Sequence, residues 1–271
     1  MLIAVKVSKF SKYRKECPIC DRETKIIKEG KLEEKYIKNY VNFRFPAFFA
    51  SFLFKSDDGF KNYEISQCKS CDFIYHSKIL KDNYRELPPY TDDTIEVKME
   101  KRFFQIQSQK FNINKYVLLL AKSLLNSLSK NKIVNFLDFG CGWGDTIKIA
   151  ESLNFNAFGT EINEDKIKYL KKNNINLLNT QKNKKLFDII LCNQVFEHLD
   201  RPQEIAKLIS KTLKKDGIFV IAVPNGSLIK FLIKIPALWL IKNKGLFSMN
   251  PLWFFGHINC FSRKSLITIF E

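Results

Sequence analysis

The chain has 271 residues, 45% of them hydrophobic, and a formal net charge of +17. This is the composition of a soluble globular protein with a true core, which excludes a disordered chain and fits one large domain, or one domain with a small appendage. The charge does not make nucleic acid the expected partner: 38 of the 45 basic residues are lysines spread along the chain, and arginine, the residue suited to forked phosphate contacts, is scarce.

The opening stretch MLIAVKVSKFSKYRKE has no apolar run long enough for a signal peptide, so a cytoplasmic protein is expected. In that compartment seven cysteines read as thiols or metal ligands before disulfides. Four of them form two C-x-x-C pairs, Cys17 with Cys20 in CPIC and Cys68 with Cys71 in CKSC. Two such pairs supply four thiolates to one tetrahedral zinc ion; reduced thiols without metal are the alternative. The 47 residues between the pairs exceed the gap of a compact zinc ribbon, so that chain folds back or forms a subdomain. His76, after the second pair, reads as a surface residue. Residues 1–90 are expected to be a small zinc-binding module, followed by a loop at PPY (88–90) and TDD. Residues 91–130 read as a helical linker, with apolar positions at helical spacing over 112–129.

From residue 131 onward strands alternate with helices. The strands are IVNFLDF (133–139), NAFGTE (156–161), INLL (175–178), LFDIILC (186–192) and GIFVIAV (217–223). Helices lie near 145–153, 163–172 and 202–214, the second capped by Asn163 with Glu164 and Asp165 in its first turn. This alternation predicts an α/β fold, a doubly wound, mostly parallel Rossmann-like sheet with helices on both faces, over 131–271. Segment 227–247 is apolar but broken by Lys230, Lys234 and Pro236, which excludes a transmembrane helix. It reads as part of a lid over 226–260, with peripheral membrane contact as the alternative. With 48 residues after Val223, the last strands of such a sheet are expected to be missing from this chain. Cys192 and Cys260 read as buried strand and lid residues.

In VNFLDFGCGWGDTIKIAE (134–151) a strand ends in Asp138, and Gly140, Gly142 and Gly144 follow at every second position. A dinucleotide fold wants G-x-G-x-x-G, and a carboxylate ahead of the loop would repel a pyrophosphate. It suits a ligand carrying an ammonium and a sulfonium. The glycines let the backbone approach closely. The next strand ends in Glu161, 21 residues past Gly140, where a carboxylate accepts two ribose hydroxyl bonds. Together these features point to an adenosyl cofactor without phosphates.

VNFLDFGCGWG, FGTEIN, LFDIILCNQVFEHLDRP, LKKDGIFVIAVPN and FGHINCFSRKSL, in that order, resemble the successive motifs of class I S-adenosylmethionine-dependent methyltransferases, in the subgroup found in glycan and small-molecule tailoring. The resemblance spans roughly residues 130–271 and implies S-adenosylmethionine as cofactor. It places Asp138, Gly140 and Gly142 around the methionine part, with Cys141 and Gly144 in the same loop and no catalytic role for the thiol. Glu161 falls on the ribose, Asn193 and Gln194 line the cleft, and Asn179 or Thr180 stands near adenine. Related methyltransferases carry a similar N-terminal module, whose second knuckle CDFIYHS resembles.

The resemblance puts His198 and His257 at the rim of the cleft, where either is a candidate base near neutral pH. In relatives such as the small-RNA 2′-O-methyltransferases, a divalent ion is held by a cluster of which Glu197, His198 and His257 match three positions. Gln194 stands where the first glutamate would be, and an amide is a poorer ligand for a hard cation. A structural role inside the loop is the third reading of these histidines. The acceptor that the resemblance implies is a small molecule or glycan, with a sugar or sugar-linked hydroxyl in surface-polysaccharide assembly first, then a quinone-precursor hydroxyl or an RNA end. A different class of function is a non-catalytic zinc or nucleic-acid binding module with a degenerate methyltransferase core. The sequence carries no signal for an oligomeric state.

Overall fold

The computed structural model of the chain describes residues 11–31, 34, 62–80, 113–128, 133–178, 185–235, 252 and 256–271. Strands β1 (Ser11–Tyr13), β2 (Thr24–Lys31), β3 (Asn62–Cys68), β4 (Ile74–His76) and β5 (Lys78–Leu80) come first. β2, β3 and β4 are neighbours in an antiparallel sheet, and β1 pairs with β5. Cys17–Cys20 precede β2, and the turn from Cys68 to Cys71 joins β3 to β4. Thr24 faces Cys68 across the sheet, so strand register draws the two cysteine pairs together.

Helix α1 (Ile113–Leu128) buries Leu118 and Ala121 and packs Leu125 against the core, the i, i+3, i+7 spacing of an amphipathic helix. Then come β6 (Asn135–Phe139), α2 (Asp145–Ser152), β7 (Asn156–Thr160), α3 (Glu164–Lys172), β8 (Phe187–Asn193), α4 (Pro202–Thr212) and β9 (Leu213–Ala222). The sheet order is β7-β6-β8-β9 and every pairing is parallel. Phe136, Leu137, Ile189, Ile190 and Leu191 are buried, as in parallel strands covered by helices. Asn163 caps α3, its side chain accepting from the Lys166 amide at 3.1 Å. The stretch INLL forms no strand; its Leu177 makes a single parallel bridge to Gly159. Strand order reverses at β6, which has β7 on one side and β8 on the other. Ligands of doubly wound sheets bind outside the carboxyl ends of the strands at such a reversal.

The C-terminal part contains α5 (Ile229–Leu232), β10 (Asn259–Cys260) and α6 (Arg263–Phe270). β10 pairs antiparallel with β4, so residues far down the chain complete the N-terminal sheet. Contacts accordingly divide the chain into one unit of Met1–Asp92, Phe196–Ala206 and Val223–Glu271, and a second of Asp93–Val195 and Lys207–Ala222. That cut differs from the linear boundaries of the sequence reading, because strand pairing ignores order along the chain.

His76 is a correction: it is 1% exposed rather than on the surface. β4 lies between β3 and β10, and a central strand has no free edge. Burial, with the positive charge of Arg14 behind it, pushes the imidazole pKa down to about 3. The PPY loop, residues 91–112 of the linker, and residues 236–251 and 253–255 of the expected lid lie outside the described residues. No described helix is long and apolar enough to cross a membrane.

Candidate functional site

The glycine loop leaves β6 at the point of strand-order reversal. Asp138 is buried in that strand, and burial raises its carboxyl to about 7, with Asp145 and Glu161 adding to the rise and a Thr146 hydrogen bond opposing it. Gly140, Gly142 and Gly144 all have positive φ, at 79°, 58° and 84°. At Gly140 a Cβ would come within 2.5 Å of Val195 Cγ2, and at Gly144, the N-cap of α2, within 2.8 Å of Leu170 Cδ2. At Gly142 a Cβ would meet nothing within 4 Å, so this backbone faces open space. Two of the glycines are therefore required by packing and conformation, and the third by conformation alone.

β7 holds the loop from the side. The Gly140 amide donates to Thr160 Oγ1 at 3.1 Å, and the Cys141 amide to the Thr160 carbonyl at 2.8 Å. Glu161 Oε1 accepts from the Ile162 and Asn163 amides at 2.8 and 2.9 Å, while Oε2 accepts from Gly142 at 3.0 Å. A carboxylate oxygen has two acceptor positions. Backbone amides thus take both positions on Oε1 and one on Oε2, and the Lys166 ammonium stands 3.8 Å from Oε2. Cys141 is buried and its thiol pushed up to about 12, mainly by burial, so it is no nucleophile near neutral pH. Asn193 ends β8, and Gln194 follows in the left-handed region at φ 57°, its amide donating to the Ala222 carbonyl at 2.8 Å. A non-glycine residue there costs about 1 kcal/mol, a strain found at functional sites. Asn179 and Thr180 lie outside the described residues.

Glu197, His198 and His257 come together in the other unit, with one ligand atom from each lying within 4.8 Å of the others. Glu197 and His198 stand on the one-turn helix Phe196–His198. The His198 Nδ1 lies 2.8 Å from the Gly256 carbonyl. A carbonyl only accepts, so Nδ1 carries the hydrogen and the lone pair of the neutral ring is on Nε2. Nε2 lies 4.0 Å from Glu197 Oε1, and the rings of His198 and His257 are 4.9 Å apart. Glu197 is fully buried, and both of its carboxylate oxygens have no hydrogen-bond partner among the described residues. Burial raises this carboxyl to about 7. An orphaned buried carboxylate beside two imidazoles, one donating its far N–H to a carbonyl, has the chemistry of an open divalent-metal site.

The four paired cysteines also converge. Cys17 Sγ is 3.6 Å from Cys71 Sγ, and Cys20 Sγ lies 3.5 and 3.7 Å from the sulfurs of Cys68 and Cys71. Four thiolates on one zinc at 2.3 Å stand about 3.8 Å apart. The amides of Ser70 and Cys71 donate to Cys68 Sγ at 3.3 and 3.4 Å. Sequence reasoning missed Thr160 and Val195, which shape the loop, and Arg14 and Asn259, described below. Their residue types are unremarkable, and their roles depend on contacts across the fold.

Comparison with known proteins gives a consistent family. A family model described as "Methyltransferase domain" matches residues 83–271. The chain is 31% identical over 120 residues to a Rickettsia typhi protein named "Ubiquinone biosynthesis O-methyltransferase", covering 41% of this chain and 48% of that protein. A Rickettsia bellii protein of the same name is 30% identical over 148 residues, covering 47% and 58%. The chain spans about half the length of the curated relatives it matches. Among solved structures, the plantazolicin methyltransferase BamL with a triazolic desmethylPZN analog and SAH aligns with a TM-score of 0.46 and 18% identity, covering 65% of this chain and 66% of that one. A methyltransferase from Clostridium acetobutylicum aligns with a TM-score of 0.34 and 15% identity, covering 47% and 57%.

Proposed function

The chain belongs to the methyltransferase-domain family, and from that premise we propose that it transfers a methyl group from S-adenosylmethionine to a hydroxyl of a small acceptor. The observation that carries this reading is the glycine loop between two carboxylates, with Gly142 facing open space and Glu161 fastened to the loop through the Gly142 amide. Asp138 answers the cationic methionine end, Gly140, Cys141, Gly142 and Gly144 offer backbone, and Glu161 takes a ribose hydroxyl. Asn193 and Gln194 complete the lining, and Asn179 is assigned to adenine from the family pattern. The bound cofactor supplies an electrophilic methyl group; the chain's part is to orient the acceptor and take its proton.

His198 is the proposed base. Its Nδ1–H is held by the Gly256 carbonyl, which puts the lone pair of the neutral ring on Nε2, the atom proposed to accept the hydroxyl proton. Glu197, 4.0 Å away, favours the imidazolium that results. The orphaned oxygens of Glu197 support a second reading, in which Glu197, His198 and His257 hold a divalent cation that lowers the pKa of the acceptor hydroxyl. Cys17, Cys20, Cys68 and Cys71 are proposed to hold a structural zinc, supported by their sulfur separations.

For the acceptor, the printed names of the curated relatives favour a hydroxyl on a quinone precursor. The names of the curated relatives described above do not point to the sugar-linked hydroxyl expected from sequence, which stays in the test panel.

Calorimetric titration with S-adenosylhomocysteine tests the cofactor site. Micromolar binding is expected, weakened about 10- to 100-fold in Glu161→Ala, the effect of losing a charge-assisted hydrogen bond. No binding by the folded chain would overturn the enzyme reading and leave the binding-module reading, whose mark is salt-sensitive affinity for nucleic acid. Methyl transfer from labelled cofactor to catechols, and then to sugar nucleotides, ranks the acceptors.

A further inference from the structure

We propose that Arg14 and Asn259 are positioning residues for the Glu197–His198–His257 cluster, Arg14 acting through Asn259. The inference rests on the reading that this cluster works on the acceptor. Arg14 and Asn259 are 7% and 1% exposed.

A guanidinium has five N–H donors, and all five of Arg14 are placed. Nε and Nη2 donate to the His76 carbonyl at 3.1 and 2.7 Å, and Nη2 also to the Ile258 carbonyl at 2.9 Å. Nη1 donates to Asn259 Oδ1 at 2.8 Å and to the Asp200 carbonyl at 3.3 Å. Arginine only donates, so the oxygen of the Asn259 amide must face it. The Asn259 nitrogen then faces the other way, and its two hydrogens go to the carbonyls of Phe196 and Leu199 at 2.9 and 2.6 Å. Those two carbonyls bracket Glu197 and His198. The Ile258 carbonyl, held by Arg14, follows His257 directly, and the Gly256 carbonyl before His257 receives His198 Nδ1.

A single strut thus fixes both stretches of chain that carry the cluster. Its hydrogen-bond partners are all neutral oxygens, and although the Asp200 charge and the Tyr75 ring, 4.9 Å from its centre, favour the cation, burial outweighs them, a costly setting unless the geometry it imposes is needed. Arg14 lies three residues before Cys17. The cysteine-bearing region is therefore part of the support of the Glu–His cluster.

The test uses the full chain labelled with 15N-histidine. Three histidines give three ring systems. Asn259→Asp keeps shape and the bond from Arg14 but turns an oxygen toward the Phe196 and Leu199 carbonyls. Asn259→Ser removes both donated bonds without adding charge, and Arg14→Lys keeps charge but cannot reach all four acceptors. Affinity for S-adenosylhomocysteine within about twofold of the parent marks a folded sample, that difference being under about 0.5 kcal/mol. In the parent His198 shows the Nδ1–H tautomer alone; in folded variants that single tautomer is lost, and kcat falls about 10- to 100-fold with the KM for S-adenosylmethionine unchanged. Retention of the Nδ1–H tautomer in folded Asn259→Asp and Asn259→Ser overturns the proposal. If His198→Gln keeps full activity while the Asn259 variants still lose the tautomer, positioning stands and the assignment of the base falls.

Discussion

The glycine loop and the Glu–His cluster are built by opposite means. The loop is made of backbone: three positive φ angles, amides given to Thr160 and Glu161, and a tight approach to Val195 and Leu170. The cluster is made of side chains from distant stretches, held by a buried arginine and a buried asparagine. A backbone site writes itself into a short motif, because glycine is the residue that positive φ and contact at the Cβ position demand. A side-chain site leaves no such mark, since many residue types fit each position until the partner is known.

Three experiments sharpen or break that contrast. The largest effect is expected in the cysteine group. Cys68→Ser in the full chain removes the bound zinc that we propose, and the stability loss exceeds about 4 kcal/mol, as when a structural metal is lost. Zinc analysis with denaturant unfolding checks it; unchanged stability with no zinc in the parent would reduce the four cysteines to packed thiols.

Next come two glycines in one loop. Gly140→Ala combines a strained φ with a 2.5 Å approach to Val195 and costs about 2–4 kcal/mol. Gly142→Ala meets no neighbour, so it costs about 1–2 kcal/mol in stability, while cofactor binding is lost. Adding Val195→Ala should recover part of the Gly140→Ala loss and none of the Gly142→Ala loss of binding. Equal stability losses would break the distinction between a glycine needed for packing and one needed for a ligand.

The smallest effect is in pH. Burial raises Asp138 from 3.8 to about 7. The folded chain then holds this proton longer than the unfolded chain, so its contribution to stability is present below about pH 4 and is lost as pH rises through 7. The cationic end of the cofactor favours the ionised form. Affinity for S-adenosylhomocysteine should therefore rise about three- to tenfold between pH 6 and 8, with proton release, because one unit of pKa is about 1.4 kcal/mol. Asp138→Asn should flatten the profile; a profile unchanged by that substitution would place the titrating group elsewhere.

The amino-acid sequence by itself determined the alternation of strands and helices, the Asn163 cap, the glycine loop with its flanking carboxylates, and the pairing of the cysteines. Each is a local rule: periodicity, capping chemistry, positive φ, or ligand spacing. Tertiary structure alone decided that β10 joins the N-terminal sheet, that His76 is buried in a central strand, that Glu161 spends three of its acceptor positions on backbone amides, and that Arg14 and Asn259 hold the turn of Glu197 and His198. Those outcomes depend on which strands pair and which carbonyls are left facing a buried donor. A hydrogen bond spanning 245 residues, as between Arg14 and Asn259, has no local period or spacing to announce it.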